Sequence, residues 1–287
     1  MNPLVPYPRT ADLAHWINER EAIRQRRESG MAPPWTADPT MATVRYCNVH
    51  REDDKITRWI RSHPVYSHAR NGMWVVVLAR MVNRISSLEA IEAAVHLGSL
   101  DDIKAILKSR RDSGFTIWGN AYTISTCGRS MDKVDYVIDH VVDNVRRAEQ
   151  DPLWSQGLWH DPWTLSNFHQ WLMRIDGLGS FLAAQVVADL KNTDDHPLLT
   201  APDWWTWAAC GPGSLKGLAA YHGTPATPGN FTALLGLATA QVTPLIGAHV
   251  GAIHAQDMQN CFCEFSKYIR VREGGHARNR YDARNPS

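Results

Sequence analysis

Two amphipathic runs, residues 165–175 and 180–190, meet at Ile175-Asp176-Gly177-Leu178-Gly179, and no other segment constrains the fold as much. Two glycines around one residue allow a tight turn with positive φ. They also leave the backbone bare where another backbone can approach. The second run opens at Ser180, so unpaired N–H groups and the helix dipole face whatever sits there. A phosphate suits that place. The pattern predicts a helix-hairpin-helix in which Gly177, Gly179 and Ser180 hold a DNA backbone. An ordinary turn between two helices is the alternative, because Gly-x-Gly alone is common.

Most of the chain reads with the same helical period. Residues 13–28 form a charged surface helix, and 30–39 a Pro-rich linker. Ile56, Trp59, Ile60 and His63 recur at helical spacing until Pro64. A more apolar helix spans 72–85. Ser87 and Ser99 cap the next two. Val134, Val137, Ile138, Val141 and Val145 make one stripe within 130–147. Further helices are expected at 230–240 and 244–270. Residues 115–125 lean toward β and are expected as a loop or short hairpin; 152–162 form an aromatic loop. The expected class is mostly α, with an N-terminal arm and helix over 1–40 and a helical catalytic domain over 41–287.

Charge narrows the function. The 30 Lys and Arg nearly balance the 29 Asp and Glu, for a formal +1. An anion-binding surface must therefore be a local patch. The 12 tryptophans serve as core or as platforms for bases. The 5 cysteines are odd in number and match no disulfide framework or zinc ribbon. No histidine pattern suggests a metal, so no metal ligands are expected. Met1–Thr10 lacks the apolar core of a secretory start, and the longest apolar run, 73–79, is too short to span a bilayer. A soluble, intracellular protein without a membrane partner is expected.

The densest polar cluster is Arg51-Glu52-Asp53-Asp54-Lys55-Ile56-Thr57-Arg58. On a continuous helix Arg51, Asp54, Lys55 and Arg58 share one face, while Ile56, Trp59 and Ile60 share another. Such a face is either solvated and internally ion-paired or an anion site. In the second case the cations neutralise phosphoryl oxygens, and Asp53 or Asp54 holds Mg²⁺.

Several segments in order resemble the α-glutamyl/putrescinyl thymine pyrophosphorylases, the amino acid:DNA transferases of bacteriophages. That family shares its helical domain with phage 5-hydroxymethyluracil DNA kinases. The matching stretches are 46–60, 78–84, Ala121-Tyr122 with Lys133, 177–190, 211–218 and 263–270. The resemblance runs from about 44 to 281. It implies a helix-hairpin-helix, DNA glycosylase-like helical fold. The implied substrate is double-stranded DNA whose 5-hydroxymethyluracil already carries a diphosphate, placed there by an upstream kinase. A free amino acid or polyamine then displaces pyrophosphate, with the base extruded into a pocket. The chain has no Gly-x-x-x-x-Gly-Lys-[Ser/Thr] loop, so the kinase step itself is not expected of it. No cofactor is required, Mg²⁺ apart, and the expected setting is the cytoplasm of an infected bacterium.

The resemblance assigns Arg51, Lys55, Arg58 and Lys133 to the departing pyrophosphate, and Asp53 and Asp54 to orienting those cations or binding metal. Asp203 follows the hairpin, where glycosylases keep a catalytic acid. It stabilises charge, deprotonates the amine, or simply N-caps a helix at 204–209. Gly211-Pro212-Gly213-Ser214, ahead of Lys216, cradles a phosphate or turns the chain. Glu264, Lys267 and Arg270, three apart along one side of a helix, are with Lys216 candidates for binding substrate, or the three ion-pair with the Arg51 helix. Asn83 and Tyr122 read the base or the amine, or make buried hydrogen bonds. Two other functions stay open. A base-excision glycosylase fits less well: the interval to Asp203 is long, Phe181 stands where lyase-type members keep a lysine, and no cysteine quartet follows. The other is a non-catalytic DNA-binding partner of a base-modification enzyme.

Overall fold

A computed structural model of the chain describes residues 7–67, 72–121, 123–151, 163–194 and 196–277. The described elements are helical: α1 (Thr10–Glu28), α2 (Pro39–Thr43), α3 (Lys55–Ser62), α4 (Met73–Val82), α5 (Ile85–His96), α6 (Leu100–Asp112) and a composite α7. The last runs Lys133–Asp135, then π-helical Tyr136–Val142, then Asp143–Gln150. Leu165–Leu172 is α8, Ser180–Leu190 α9, Pro212–His222 α10, Phe231–Val242 α11 and Ala255–Arg272 α12. No strand occurs among the described residues, so 115–121 and 123–125 are loop. The expected 152–162 loop, Tyr122 and the tail beyond 277 lie outside the described residues.

Contacts group the chain into two units, Met1–Asp54 with Trp205–Ser287, and Lys55–Trp204. This division differs from the expected arm and body. In the first unit α1 belongs to the core and is not a surface helix: Leu13, Trp16 and Ile17 are fully buried against α11 and α12. Its charges pair along the outer side, Arg24 with Glu28 and Arg26 with Glu19. Burial of such apolar side chains stabilises by ~1.5–3 kcal/mol each. Helix α10 lies unusually close to α12. A Cβ at Gly217 would sit 2.0 Å from Phe262 O, and one at Gly213 2.3 Å from Cys263 Sγ.

The second unit is built around α4, all ten of whose residues are buried. Phases of α5, α7 and α9 rich in Val, Ile and Leu surround it. Ser99 caps α6 as expected, its hydroxyl accepting from Asp102 N at 3.3 Å.

Ser87 does not cap α5, which begins two residues earlier at Ile85 and buries it; four further expected elements change. Residues 51–60 are not one helix: a 3-10 turn, Arg51–Asp53, is followed by extended Asp54 at ψ 127. The cause is competition for the backbone. Asn48 Nδ2 donates to Asp53 O at 2.8 Å, the carbonyl that a continuous helix would offer to Thr57 N, while Asp257 Oδ1 accepts from Arg51 N at 2.8 Å and fixes the loop there. The 72–85 helix stops at Val82 because Asn83 adopts φ 51, a left-handed cap that asparagine tolerates. Pro244 lies in a single 3-10 turn, Thr243–Leu245, and α12 starts only at Ala255. Residues 204–209 form no helix, whereas 212–222 do, started by Pro212 in the first turn.

Candidate functional site

The hairpin forms where expected. Ile175 and Leu178 are buried beneath it, with Leu178 N donating to Ile175 O at 3.0 Å. Gly177 has φ +97, and a Cβ there would meet Val141 Cγ2 at 2.5 Å. Glycine is thus required twice, by backbone conformation and by packing on the π-helical part of α7. Asp176 Oδ2 is held by Arg129 Nη2 at 2.6 Å and His140 Nε2 at 3.0 Å. Gly179 differs. It is extended, exposed, and has open space where a Cβ would be. No side chain caps the start of α9, and Ser180 and Phe181 are exposed there. Those first N–H groups therefore face outward, the geometry a phosphate uses. His169 fastens the two helices, its Nε2 donating to Ser180 O at 2.9 Å. Burial lowers the His169 pKa and keeps the ring neutral.

The same unit carries α3. Lys55 and Arg58 are exposed on it, while Thr57 and Ile60 point into the core. Arg80, inside apolar α4, donates from Nε to Asp189 Oδ2 of α9 at 2.8 Å and from Nη2 to Asp189 Oδ1. Its Nη2 also reaches Thr57 Oγ1 of α3 at 2.9 Å. One buried guanidinium thus ties α3, α4 and the hairpin's second helix together.

Arg51, Asp53 and Asp54 group with the other unit, and the extended Asp54 interrupts the continuous helix on which they were expected to share a face with Lys55 and Arg58. Asp53 pairs with Arg24 Nε of α1 at 3.1 Å. The 45–54 loop is pinned from below. Buried Arg20 donates to Cys47 O at 2.9 Å, Tyr46 O at 3.2 Å and Asn48 Oδ1 at 2.6 Å. Glu264 Oε2 accepts from Cys47 N at 3.1 Å and from Lys267 Nζ at 2.7 Å. Lys267 Nζ also donates to Arg45 O at 2.7 Å. Glu264 and Lys267 therefore hold the backbone of this loop; Arg270 is exposed. His50 donates from Nδ1 to Asp257 Oδ2 at 3.3 Å and from Nε2 to Val250 O at 2.6 Å. The Asp257 partner raises His50 from 6.5 to about 9, so the ring is a cation at neutral pH. Burial pushes Asp257 up, but the His50 donor and the neighbouring charges leave it below the usual carboxylate value.

Other expected site residues have structural partners. Asp203 caps α8: Oδ1 accepts from Leu165 N at 2.7 Å and Oδ2 from Ser166 N at 3.0 Å. It does not cap a helix at 204–209. Ser214 is fully buried, and its hydroxyl donates to Gly211 O at 2.9 Å while accepting from Gly211 N at 3.2 Å. With Gly213 against Cys263, the 211–214 segment starts and packs α10. Asn83 is the helix terminator described above, with Gly119 N on the adjacent Val82 O at 2.9 Å. Lys133 Nζ lies 5.6 Å from the centre of the Trp118 ring. Lys216 is exposed on α10. Among the described residues no group of three or more His, Cys, Asp or Glu is placed to hold a metal. No helix among them is long and apolar enough to cross a membrane.

Sequence reading missed Arg80, Asp189, Arg20, His50 and Asp257. A signal existed for the first. An arginine within an apolar helix needs a buried acceptor, and Asp189 lies in the next strongly apolar helix. It also missed Lys191, which is fully buried with Nζ 4.0 Å from the centre of the Trp204 ring.

A mostly helical protein with an outward-facing glycine hairpin is thus defined by fold and geometry. Over residues 8–277 the chain matches the family described as 5-hmdU DNA kinase, helical domain, and it belongs to that family. A 5-hmdU DNA kinase of Bacillus phage SP10 is 25% identical over 232 residues, covering 71% of this chain and 35% of the relative. The chain spans about a third of the length of that curated relative. No solved structure matches.

Proposed function

We propose that the chain is a phage DNA-hypermodification transferase. It displaces pyrophosphate from 5-(diphosphooxymethyl)uracil in DNA with the nitrogen of an amino acid or polyamine. The observation that carries the reading is the Thr57–Arg80–Asp189 linkage, which joins α3, with exposed Lys55 and Arg58, to the hairpin helix α9. In this reading the fold is helix-hairpin-helix, glycosylase-like. Gly179 and Ser180 hold a backbone phosphate, and the target base is extruded. Lys55 and Arg58 stabilise the charge that develops on the departing diphosphate. The C–O bond of the base methylene breaks with its electron pair leaving on pyrophosphate, and the amine nitrogen forms the new C–N bond and sheds a proton. The family match to a kinase helical domain supports a 5-hydroxymethyluracil substrate. Arg51, Asp53 and Asp54 of the other unit are not needed for this assignment.

A second reading is favoured by the 35% coverage of the relative: the chain holds DNA for a separate catalytic partner. Pyrophosphate release separates the two. The transferase reading expects release that requires both modified DNA and an amine, and its loss in Lys55→Ala and Arg58→Ala with DNA binding retained. DNA binding without release under any amine supports the second reading.

A further inference from the structure

The second unit carries an open depression of about 450 Å³ between the start of α4, the end of α5 and the end of α7. Its volume falls within the ~300–1,000 Å³ typical of small-molecule sites. Trp74, Val95, Leu97, Arg146 and Glu149 line it. Its two charges are of opposite sign and three residues apart on α7. Such a spacing normally brings partners together, yet among the described residues neither Arg146 nor Glu149 is ion-paired. Each is instead fixed by backbone. Arg146 Nη1 donates to Gly98 O at 2.8 Å, and the guanidinium lies 5.7 Å from the centre of the Trp74 ring. Glu149 Oε1 accepts from Met73 N at 2.6 Å and Oε2 from Trp74 N at 3.1 Å. The guanidinium retains donors that Gly98 does not use, and each carboxylate oxygen retains a second acceptor site.

We propose that this depression binds a free α-amino acid as its zwitterion, the carboxylate on Arg146 and the ammonium on Glu149, with Val95 and Leu97 beside the side chain. This fixed pair of charges, without an ion-pair partner among the described residues, selects this ligand class. A carboxylate ligand uses the fork of an arginine, and a single acid serves a single ammonium. A diamine brings two cations to a site with one carboxylate and one arginine, and is disfavoured by like-charge repulsion. The role of the site as the store of the incoming amine rests on the transfer reading above; the binding does not.

The test is calorimetric titration of the full chain, without DNA, using alanine, N-acetylalanine and putrescine. Saturable alanine binding is expected, with putrescine and N-acetylalanine at least ~10-fold weaker, a difference of about 1.4 kcal/mol. Arg146→Met keeps the packing on Trp74 and removes the fork, and should weaken alanine at least ~10-fold. Leu97→Trp, at a position 76% exposed and so harmless to folding, should block the depression. Lack of saturable alanine binding, equal binding by wild type and both variants, or preference for putrescine overturns the proposal. Amine transfer without alanine binding at this place sinks the site and leaves the transfer reading standing. Alanine binding lost in both variants, without any transfer, does the reverse.

Discussion

Arg80 and Asp189 form a two-pronged ion pair in which both side chains are almost wholly buried, at 3% and 2% exposure. The pair joins the centre of an apolar helix to the second helix of the hairpin. Such a pair contributes little net stability over an apolar substitute, but breaking it leaves one charge buried alone. Arg80→Met is expected to cost about 3–5 kcal/mol in urea denaturation, and the Arg80→Met, Asp189→Leu double variant clearly less. Equal loss in single and double variants would show that the pair is not the unit of stability.

The two hairpin glycines should separate by assay. Gly177→Ala forces a side chain into φ +97 and against Val141, and should lower stability by at least ~1–3 kcal/mol. Gly179→Ala meets open space, so thermal unfolding should be nearly unchanged. DNA affinity should nevertheless fall, because the added methyl stands where the phosphate approaches. Filter binding at fixed salt, beside the melting curve, checks both.

Asp203→Ala should destabilise by ~0.5–2 kcal/mol, the usual effect of losing a helix cap. Asp203→Asn retains one acceptor oxygen and should lose less. If its carboxylate were instead the base of the reaction, Asp203→Asn would abolish turnover at unchanged stability. Chemical denaturation and turnover measured together decide between cap and base.

The His50–Asp257 pair makes stability depend on pH in a defined direction. His50 titrates near 9 when folded and near 6.5 when unfolded. Its stabilisation is fully present below about 6.5 and disappears as the pH rises through about 9. Asp257 is depressed, so its contribution is present above the ordinary carboxylate value and lost as acid protonates it. The wild type should therefore lose more stability between pH 7 and pH 10 than His50→Gln, which retains a donor but no titration. Parallel losses measured by denaturant midpoint would contradict the ion pair.

The helical class and the hairpin were legible because they rest on local chemistry: apolar period, Gly177 conformation and the uncapped start at Ser180. The polar cluster at 51–58 was not. Its charges have helical spacing, but Asn48 claims the Asp53 carbonyl that a continuous helix would use, and Asp257 anchors the turn at Arg51 N. Asp257 lies some 200 residues away, and pairing at that range leaves no trace in a periodic pattern. Gly213 and Gly217 have a role of the same kind: they admit α12, with the Cys263 side chain against Gly213 and the Phe262 backbone against Gly217, a proximity that only the tertiary structure supplies. Asp203 stands after the hairpin as expected, but its partners are the N–H groups that open α8.

The central claim is that an amine replaces pyrophosphate on a DNA base. The most direct measurement is the nucleoside mass spectrum of DNA carrying 5-(diphosphooxymethyl)uracil after incubation with the protein and a ¹⁵N-labelled mixture of amino acids and polyamines. The account predicts a new nucleoside that retains the uracil methylene, carries the heavy nitrogen and has lost the diphosphate. An unchanged diphosphorylated nucleoside, or a free base with an abasic site left in the strand, would contradict it.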